Sequence, residues 1–140
     1  MRDIMAWNEC KEDFIKEVDV DNDKIESLIE TANRRLKFLS ENKVNKENVS
    51  FIIEGYYEVI KELLTAFLLS KGLRSKNHQC LISYFYNHCH EYEAEAYIIS
   101  QMNYLRNRLE YYGELISIEF YEKNKYEFKH IIKLLNDLIK

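Results

Sequence analysis

The stretch FIIEGYYEVIKELLTAFLLSKG, residues 51–72, decides the fold class of this chain. Its apolar side chains cover most of the circumference of a helix, which is typical of a helix that is packed on several sides. They are Phe51, Ile52, Ile53, Tyr56, Tyr57, Val59, Ile60, Leu63, Leu64, Phe67, Leu68 and Leu69. We therefore expect a central helix that follows a cap at Asn45 and runs to about Lys71, with Gly72 as its left-handed stop.

Amphipathic stripes before and after this segment predict the other helices, because apolar residues spaced by three and four lie on one helix face. Residues 1–20 predict a short helix packed on the body of the protein, with apolar positions at Ile4, Trp7, Phe14 and Ile15. The remaining helices are expected from about Lys24 to Leu39, Asn77 to Tyr86, Glu93 to Tyr112 and Ser117 to Lys140. Polar residues predict a connection over 40–48 and a turn over 73–77, and Gly113 is expected to break or kink the chain.

The glycine and proline content argues against a sheet fold. The 140-residue chain has three glycines and no proline, whereas a sheet protein of this length needs many tight turns that these residues favour. Hydrophobic residues at 46% and charged residues at 31% match a globular protein rather than a disordered chain. We therefore expect an all-α fold in a single domain, residues 1–140, with residues 1–20 as an N-terminal extension.

Hydropathy, cysteine content and charge narrow the location and the partners. The longest apolar stretch, residues 63–69, is far shorter than the ~18 residues of a membrane-spanning helix, and the amino terminus does not read as a secretory signal. Cys10, Cys80 and Cys89 leave an odd thiol under any pairing, which favours free thiols and a cytoplasmic protein. The 20 basic and 24 acidic residues give a net charge of −4, which argues against bulk binding to DNA.

Histidines and cysteines cluster at His78, Cys80, His88, Cys89 and His90, but their spacing does not suit a zinc site. A helical metal pair needs ligands at i and i+4 on one face, and a zinc knuckle needs a CxxC pair. We expect half-buried thiols and surface histidines here, and no metal. The chain also lacks the glycine-rich loops that hold the phosphates of nucleotide cofactors, so no cofactor is expected.

The segment YLRNRLEYYG, residues 104–113, contains the most informative polar pattern. On a helix, Arg106, Asn107, Glu110 and Tyr111 share a face opposite Leu105, Leu109 and Tyr112. Arg106 is suited to bind a phosphate bidentately, Asn107 to hold a neighbouring oxygen or a ribose hydroxyl, and Tyr111 to stack or donate. We assign Arg106, Asn107, Arg108 and Tyr111 to nucleotide or RNA binding. The alternative is an ordinary solvated face with an ion pair between Arg106 and Glu110.

The central apolar helix ends in KGL, an NH pair follows, and an RN pair comes later, before a tyrosine–glycine break. In these features the chain resembles the HEPN domains (higher eukaryotes and prokaryotes nucleotide-binding). The resemblance covers roughly Lys24 to Lys140. It implies an up-and-down bundle of about five helices that dimerises with the motif helices at the interface. It also implies a nucleotidyltransferase as partner, in a toxin–antitoxin module or a similar prokaryotic gene pair.

One departure from the family pattern affects the expected activity. In HEPN ribonucleases four to six residues separate the motif arginine from a histidine, whereas after four intervening residues the chain has Tyr111 and then Tyr112. Metal-independent RNA cleavage needs a base that titrates near neutral pH, and a phenol has a pKa of ~10. The resemblance therefore implies a weak or inactive enzyme, with Arg106 and Tyr111 as candidate catalytic residues.

Three functions remain open from the sequence. The first is a nucleotide- or RNA-binding protein that pairs with itself and with a nucleotidyltransferase. The second is a metal-independent endoribonuclease toxin whose base is His78 or His88, which requires one of them to lie near the phosphate held by Arg106. The third is a non-catalytic helical module that binds a partner protein and has no ligand.

Overall fold

The computed structural model describes residues 4–140, and over this range the chain forms six α-helices. They are α1 (Trp7–Asp13), α2 (Asn22–Ser40), α3 (Val49–Ser70), α4 (His78–His88), α5 (Glu93–Tyr112) and α6 (Ile118–Ile139). A 3₁₀ turn, His90–Tyr92, joins α4 to α5, and two short strands, β1 (Lys16–Glu17) and β2 (Leu73–Arg74), pair antiparallel. The predicted all-α bundle is confirmed. Residues 1–3 of the predicted N-terminal extension lie outside the described residues.

Helix α3 lies at the centre of the bundle, as the sequence predicts. It contacts α2, α4, α5 and α6, and most of its residues are buried. Burial of this kind is the main favourable term in folding, about 25 cal/mol per Å² of apolar surface. Phe51 is the exception, because its side chain is 59% exposed although it belongs to the predicted apolar surface. The wide apolar circumference of α3 therefore determines how the other long helices are arranged.

The start of α3 differs from the prediction. The helix begins at Val49, with Asn48 in the N-cap position, rather than directly after Asn45. The Asn45 side chain instead accepts hydrogen bonds from the N–H groups of Glu47 and Asn48, each at 2.9 Å. It therefore shapes the turn that precedes the helix. Short amide side chains stabilise such turns and helix caps by the same kind of bond, which explains why the two roles are hard to separate in a sequence.

The end of α3 creates a feature that the sequence did not predict. Gly72 has a φ of +73°, a conformation that glycine adopts at low cost, and it reverses the chain after the helix. Residues Leu73 and Arg74 then run beside Lys16 and Glu17 as the small sheet, extended by a hydrogen bond from Val18 N–H to Gly72 O at 2.9 Å. The predicted turn over residues 73–77 is wrong in its first part, which is strand β2.

The N-terminal segment packs on the bundle, as predicted, and a disulfide that was not predicted joins it to α4. Ile4, Trp7 and Ile15 pack against the core. Cys10 of α1 forms a disulfide with Cys80 of α4, and both residues are fully buried. The prediction of free thiols is therefore wrong for this pair and holds only for Cys89, which is free and buried. Disulfides are rare in the cytoplasm, so the predicted cytoplasmic location rests on the sequence alone.

Gly113 ends α5 rather than bending it. Its φ of +63° places it in the left-handed region, and the following Glu114 N–H bonds back to Arg108 O at 3.2 Å. Residues 110–115 are all exposed, so this end of the helix projects from the body. Tyr112 was predicted on the apolar face and is instead 71% exposed, because it lies in the last turn of the projecting helix end.

Within residues 4–140, no helix combines the length and the apolar composition that crossing a lipid bilayer requires.

Candidate functional site

Three of the four predicted binding residues line one polar cleft between the start of α4 and the second half of α5. The cleft has a volume of about 280 Å³. We call it the Arg106 cleft, and its walls are Lys76, Asn77, His78, Gln79, Asn103, Arg106, Asn107 and Tyr111. Arg106, Asn107 and Tyr111 come from one face of α5, as the helical spacing predicts. The residues from the turn before α4 and from its first turn were not part of that prediction, with the exception of His78.

The guanidinium of Arg106 uses only part of its hydrogen-bonding capacity within the described residues. Its Nη2 lies 3.4 Å from both Glu58 Oε1 and Glu110 Oε1, and its Nη1 donates to Asn107 Oδ1 at 3.2 Å. Among the described residues, its buried Nε has no hydrogen-bond partner. The predicted ion pair with Glu110 is therefore present, but both ion pairs are longer than the ~2.7–2.9 Å of a strong charge-assisted bond. Arg106 has donor capacity left for an anion.

Acidic residues beneath the cleft hold Arg106 without fully neutralising it. Burial, together with a hydrogen bond and charge repulsion from Glu110, raises the pKa of Glu54. Burial also acts to raise the pKa of Glu58, but Lys61 and Arg106 outweigh it and keep that pKa below its usual value. Glu58 is thus a stable anion that orients Arg106, whereas the raised pKa of Glu54 makes that carboxyl the weaker anion of the two. A phosphate entering the cleft meets a positioned arginine.

His78 lines the same cleft and is fixed by a buried tyrosine. Its Nδ1 lies 3.3 Å from the hydroxyl of Tyr57, whose pKa is raised far above its usual value by burial, so the phenol stays protonated. Burial first, and then the positive charges of Lys61 and Arg106, lower the pKa of His78. The imidazole is therefore neutral at pH 7, the form that accepts a proton. His78 is partly buried rather than a surface histidine as predicted.

His88, the other histidine considered as a base, lies in a different environment. Its ring stacks on Tyr84 with the centroids 4.1 Å apart and meets the edge of Trp7 at 5.1 Å. Its Nδ1 is 3.0 Å from Tyr84 O. It does not line the Arg106 cleft. Of the two candidates, the structure brings only His78 beside Arg106.

Arg108, the fourth predicted binding residue, points away from the cleft. Its Nε and Nη2 donate to Glu114 Oε2 at 2.9 and 2.6 Å, and its guanidinium lies 4.6 Å above the ring of Tyr112. These contacts occupy the groups that would bind a phosphate. Two positions along a helix correspond to a rotation of about 200°, so Arg106 and Arg108 lie on opposite sides of α5.

A second cavity adjoins the cleft and was missed by the sequence analysis. We call it the amide cavity; its volume is about 450 Å³, and its walls are Ile4, Met5, Gln79, Ile82, Ser100, Asn103, Tyr104 and Asn107. Gln79, Asn103 and Asn107 line both spaces, so the two are adjacent. The signal in the sequence was Asn103 one turn before Asn107, a polar i,i+4 pair at the edge of the apolar face.

Comparisons of the chain with protein-family models, with curated proteins and with solved structures found no match. The chemistry of the site is therefore argued from its own residues. Across residues 4–140, no group of three or more His, Cys, Asp or Glu side chains is arranged to hold a metal ion. What the cleft offers is an arginine with free donor capacity, a lysine, a neutral imidazole, four amide side chains and an exposed phenol on Tyr111.

Proposed function

We propose that the protein is a HEPN-like nucleotide- or RNA-binding protein that holds a phosphate in the Arg106 cleft. The observation that supports this most directly is the buried Nε of Arg106, which has no partner among the described residues beside an open polar cleft. A buried, unpaired donor costs free energy, about 1–3 kcal/mol, that a ligand oxygen recovers. Lys76 and the neutral His78 add donors on the opposite wall.

A ribonucleotide or single-stranded RNA fits the cleft better than duplex DNA. The net charge of −4 disfavours binding that depends on many phosphates. Asn107 is placed beside Arg106, where an amide can bond a ribose hydroxyl, and the ring of Tyr111 is 74% exposed and free to stack on a base. One phosphate and one sugar are within the capacity of these residues, and Tyr111 is placed to stack on the base of a neighbouring nucleotide.

The same proposal includes a homodimer and a nucleotidyltransferase partner in a toxin–antitoxin-like system. Tyr111, Tyr112 and Leu115 form an exposed apolar rim at the projecting end of α5, next to the cleft. Exposed aromatic groups of this kind are enriched at protein interfaces. A second copy packed there would bring two Arg106 side chains towards one ligand, as the family resemblance implies. Sedimentation at several concentrations tests the dimer.

The binding proposal is tested by gel-shift of a labelled mixed-sequence RNA in EDTA. Replacing Arg106 by Ala should weaken retention about tenfold to a hundredfold, since bonds to a charged group contribute about 1.5–3 kcal/mol. Arg106→Lys keeps the charge but not the bidentate fork, and should weaken it by an intermediate amount. Arg108→Ala is the matched control and should bind as the wild type does. Equal binding by Arg106→Ala and the wild type would overturn the proposal.

A second function, a metal-independent endoribonuclease, is favoured by one observation: His78 lines the cleft beside Arg106 and is neutral at pH 7. In this reaction His78 takes the proton of a ribose 2′-hydroxyl, and the oxygen forms a bond to phosphorus. The bond from phosphorus to the 5′-oxygen breaks, and that oxygen leaves with a proton from solvent or from the protonated base. The products are a 2′,3′-cyclic phosphate and a 5′-hydroxyl.

The two functions separate in one assay, in which end-labelled RNA is incubated with the protein in EDTA. Cleavage that is lost in His78→Ala and retained in His88→Ala would establish the endoribonuclease. Retention of RNA without cleavage supports the binding role. If neither occurs, the remaining function is a helical module that binds a partner protein.

A further inference from the structure

The amide cavity contains a polar atom that no described residue satisfies. Asn103 is only 6% exposed, and its buried Oδ1 has no hydrogen-bond partner within residues 4–140. Buried acceptors are nearly always bonded in native proteins, and an unpaired one needs an explanation. Asn103 lies on the shared wall of the amide cavity and the Arg106 cleft. Because the last torsion of an asparagine is soft, its amide can turn towards a ligand on either side.

The rest of the cavity restricts the class of ligand. Its walls contain no charged group, so a second anion is disfavoured there. Ile4, Met5 and Ile82 supply apolar surface, whereas Gln79, Asn103 and Asn107 supply amides on the side that faces the cleft. The volume of about 450 Å³ falls in the usual range of roughly 300–1,000 Å³ for small-molecule sites. Apolar walls with a few amides suit a flat, neutral nitrogen heterocycle.

We propose that the amide cavity binds the base of a ribonucleotide whose phosphate lies on Arg106, and that it prefers adenine and cytosine to uracil. Both bases have an exocyclic amino group beside a ring nitrogen, a donor and an acceptor that an amide matches bidentately. The amino group extends beyond the ring and has two hydrogens, so it reaches the recessed Oδ1 of Asn103 and has a second hydrogen for Gln79. The N–H of uracil lies within the ring between two carbonyls and does not reach so far.

This proposal rests on the proposed function, because the phosphate on Arg106 places the base. It also predicts how replacing Asn103 changes the stability of the ligand-free protein. If Asn103 served only the fold, its side chain would be bonded. As the Oδ1 is unpaired, replacement by leucine, which has a similar volume, should leave stability unchanged or raise it.

Calorimetric titration with AMP, CMP, UMP and inorganic phosphate tests the preference. In the wild type, AMP and CMP should bind at least about fivefold more tightly than UMP, the effect of about one net hydrogen bond. Asn103→Leu should bind all three nucleotides at the level of UMP while it unfolds at the same temperature as the wild type or higher. Asn124→Leu, on α6 and outside the cavity, is the matched control and should keep the preference.

The outcomes separate the two proposals. Equal affinity for AMP, CMP and UMP, with all three lost in Arg106→Ala, would overturn the base preference and leave phosphate binding standing. No binding of any nucleotide or of phosphate would overturn both. A preference for AMP and CMP that persists in Asn103→Leu would show that another residue reads the base, and a lower unfolding temperature in that variant would show that Asn103 serves the fold.

Discussion

The two ends of α4 each present a histidine, and the two histidines have different surroundings. At the start of the helix, His78 lies in the open Arg106 cleft, bonded to a buried tyrosine and close to cations. At the other end, roughly 15 Å along the helix axis, His88 stacks on Tyr84 and meets Trp7 edge-on. The first end is polar and, among the described residues, has one unpaired donor and one unpaired acceptor nearby, whereas aromatic rings pack around the second.

The contrast indicates how stability and function are divided in this protein. The N-terminal segment is fastened to α4 near both ends, by the disulfide between Cys10 and Cys80 and by the ring of Trp7 on Tyr84. The aromatic end therefore contributes to stability, and His88 lines neither the Arg106 cleft nor the amide cavity. Near the cleft, polar groups are left incompletely bonded at a cost to stability, which is typical of binding sites. Substitutions at the two ends should accordingly give opposite profiles.

The largest effect is expected at Tyr84, whose ring is buried among Trp7, Phe67 and His88. Tyr84→Ala should lower the free energy of unfolding by about 3–5 kcal/mol, because it leaves a cavity in the core. Urea unfolding followed by circular dichroism measures this. RNA retention by the folded fraction should stay at the level of the wild type. A loss of RNA binding under conditions where the variant is fully folded would contradict the conclusion that one end of α4 serves stability and the other serves binding.

The second effect concerns the disulfide. Changing Cys10 and Cys80 together to Ser should lower the free energy of unfolding by about 2–4 kcal/mol, since the bond closes a loop over 70 residues of sequence separation. Alkylation of the denatured, unreduced protein followed by mass spectrometry provides the direct check. One labelled cysteine, Cys89, is expected. Three labelled cysteines would mean that the bond is absent in solution, and stability should then not change on reduction.

The disulfide also marks the limit of what the sequence could predict. Apolar periodicity predicted the long helices well, and α5 has the expected bounds, because each depends on local spacing. The Cys10–Cys80 pair joins segments far apart in sequence, and no spacing rule says where α1 docks. The odd number of cysteines then pointed to the wrong state for two of them.

The site shows the same limit. Arg106, Asn107 and Tyr111 could be grouped from one helix, and the structure brings them to one cleft. His78 comes from α4, and its place beside Arg106 follows only from how α4 and α5 pack against α3. Arg108 was grouped with them, but its partner Glu114 follows the helix end that Gly113 creates. The orphaned Oδ1 of Asn103 is a property of packing and is not visible in a pattern of residue types.

A smaller effect should distinguish the two histidines in the absence of ligand. His88→Ala removes a stacked ring and should cost about 1 kcal/mol of stability or somewhat more. His78→Ala should cost less, because its ring lies at the edge of an open cleft, and should weaken RNA retention instead. Parallel unfolding and gel-shift measurements give both quantities. If both variants lose stability and neither loses binding, His78 is a structural residue like His88.

The smallest effect, and the most specific, is the pH dependence of stability due to His78. Its pKa in the folded protein lies below the ordinary value of about 6.5, chiefly through burial and then through Lys61 and Arg106, which outweigh Glu58 and Glu110. As the pH falls, the unfolded chain therefore takes up the proton first, and the folded state loses stability between the unfolded pKa and the lower folded one. The free energy of unfolding should rise with pH through this window, and His78→Gln should flatten that rise.

A phosphate in the cleft changes this slope in a way that packing alone cannot. Its negative charge favours the protonated imidazole and raises the pKa of His78 towards or above the unfolded value. Saturating inorganic phosphate should therefore reduce the slope of the wild type near pH 6, and leave the slope of His78→Gln as it was. Sodium chloride at equal ionic strength controls for screening. If phosphate does not alter the slope of unfolding free energy against pH, the anion binds away from His78. The polar end of α4 would then not be the phosphate-binding site.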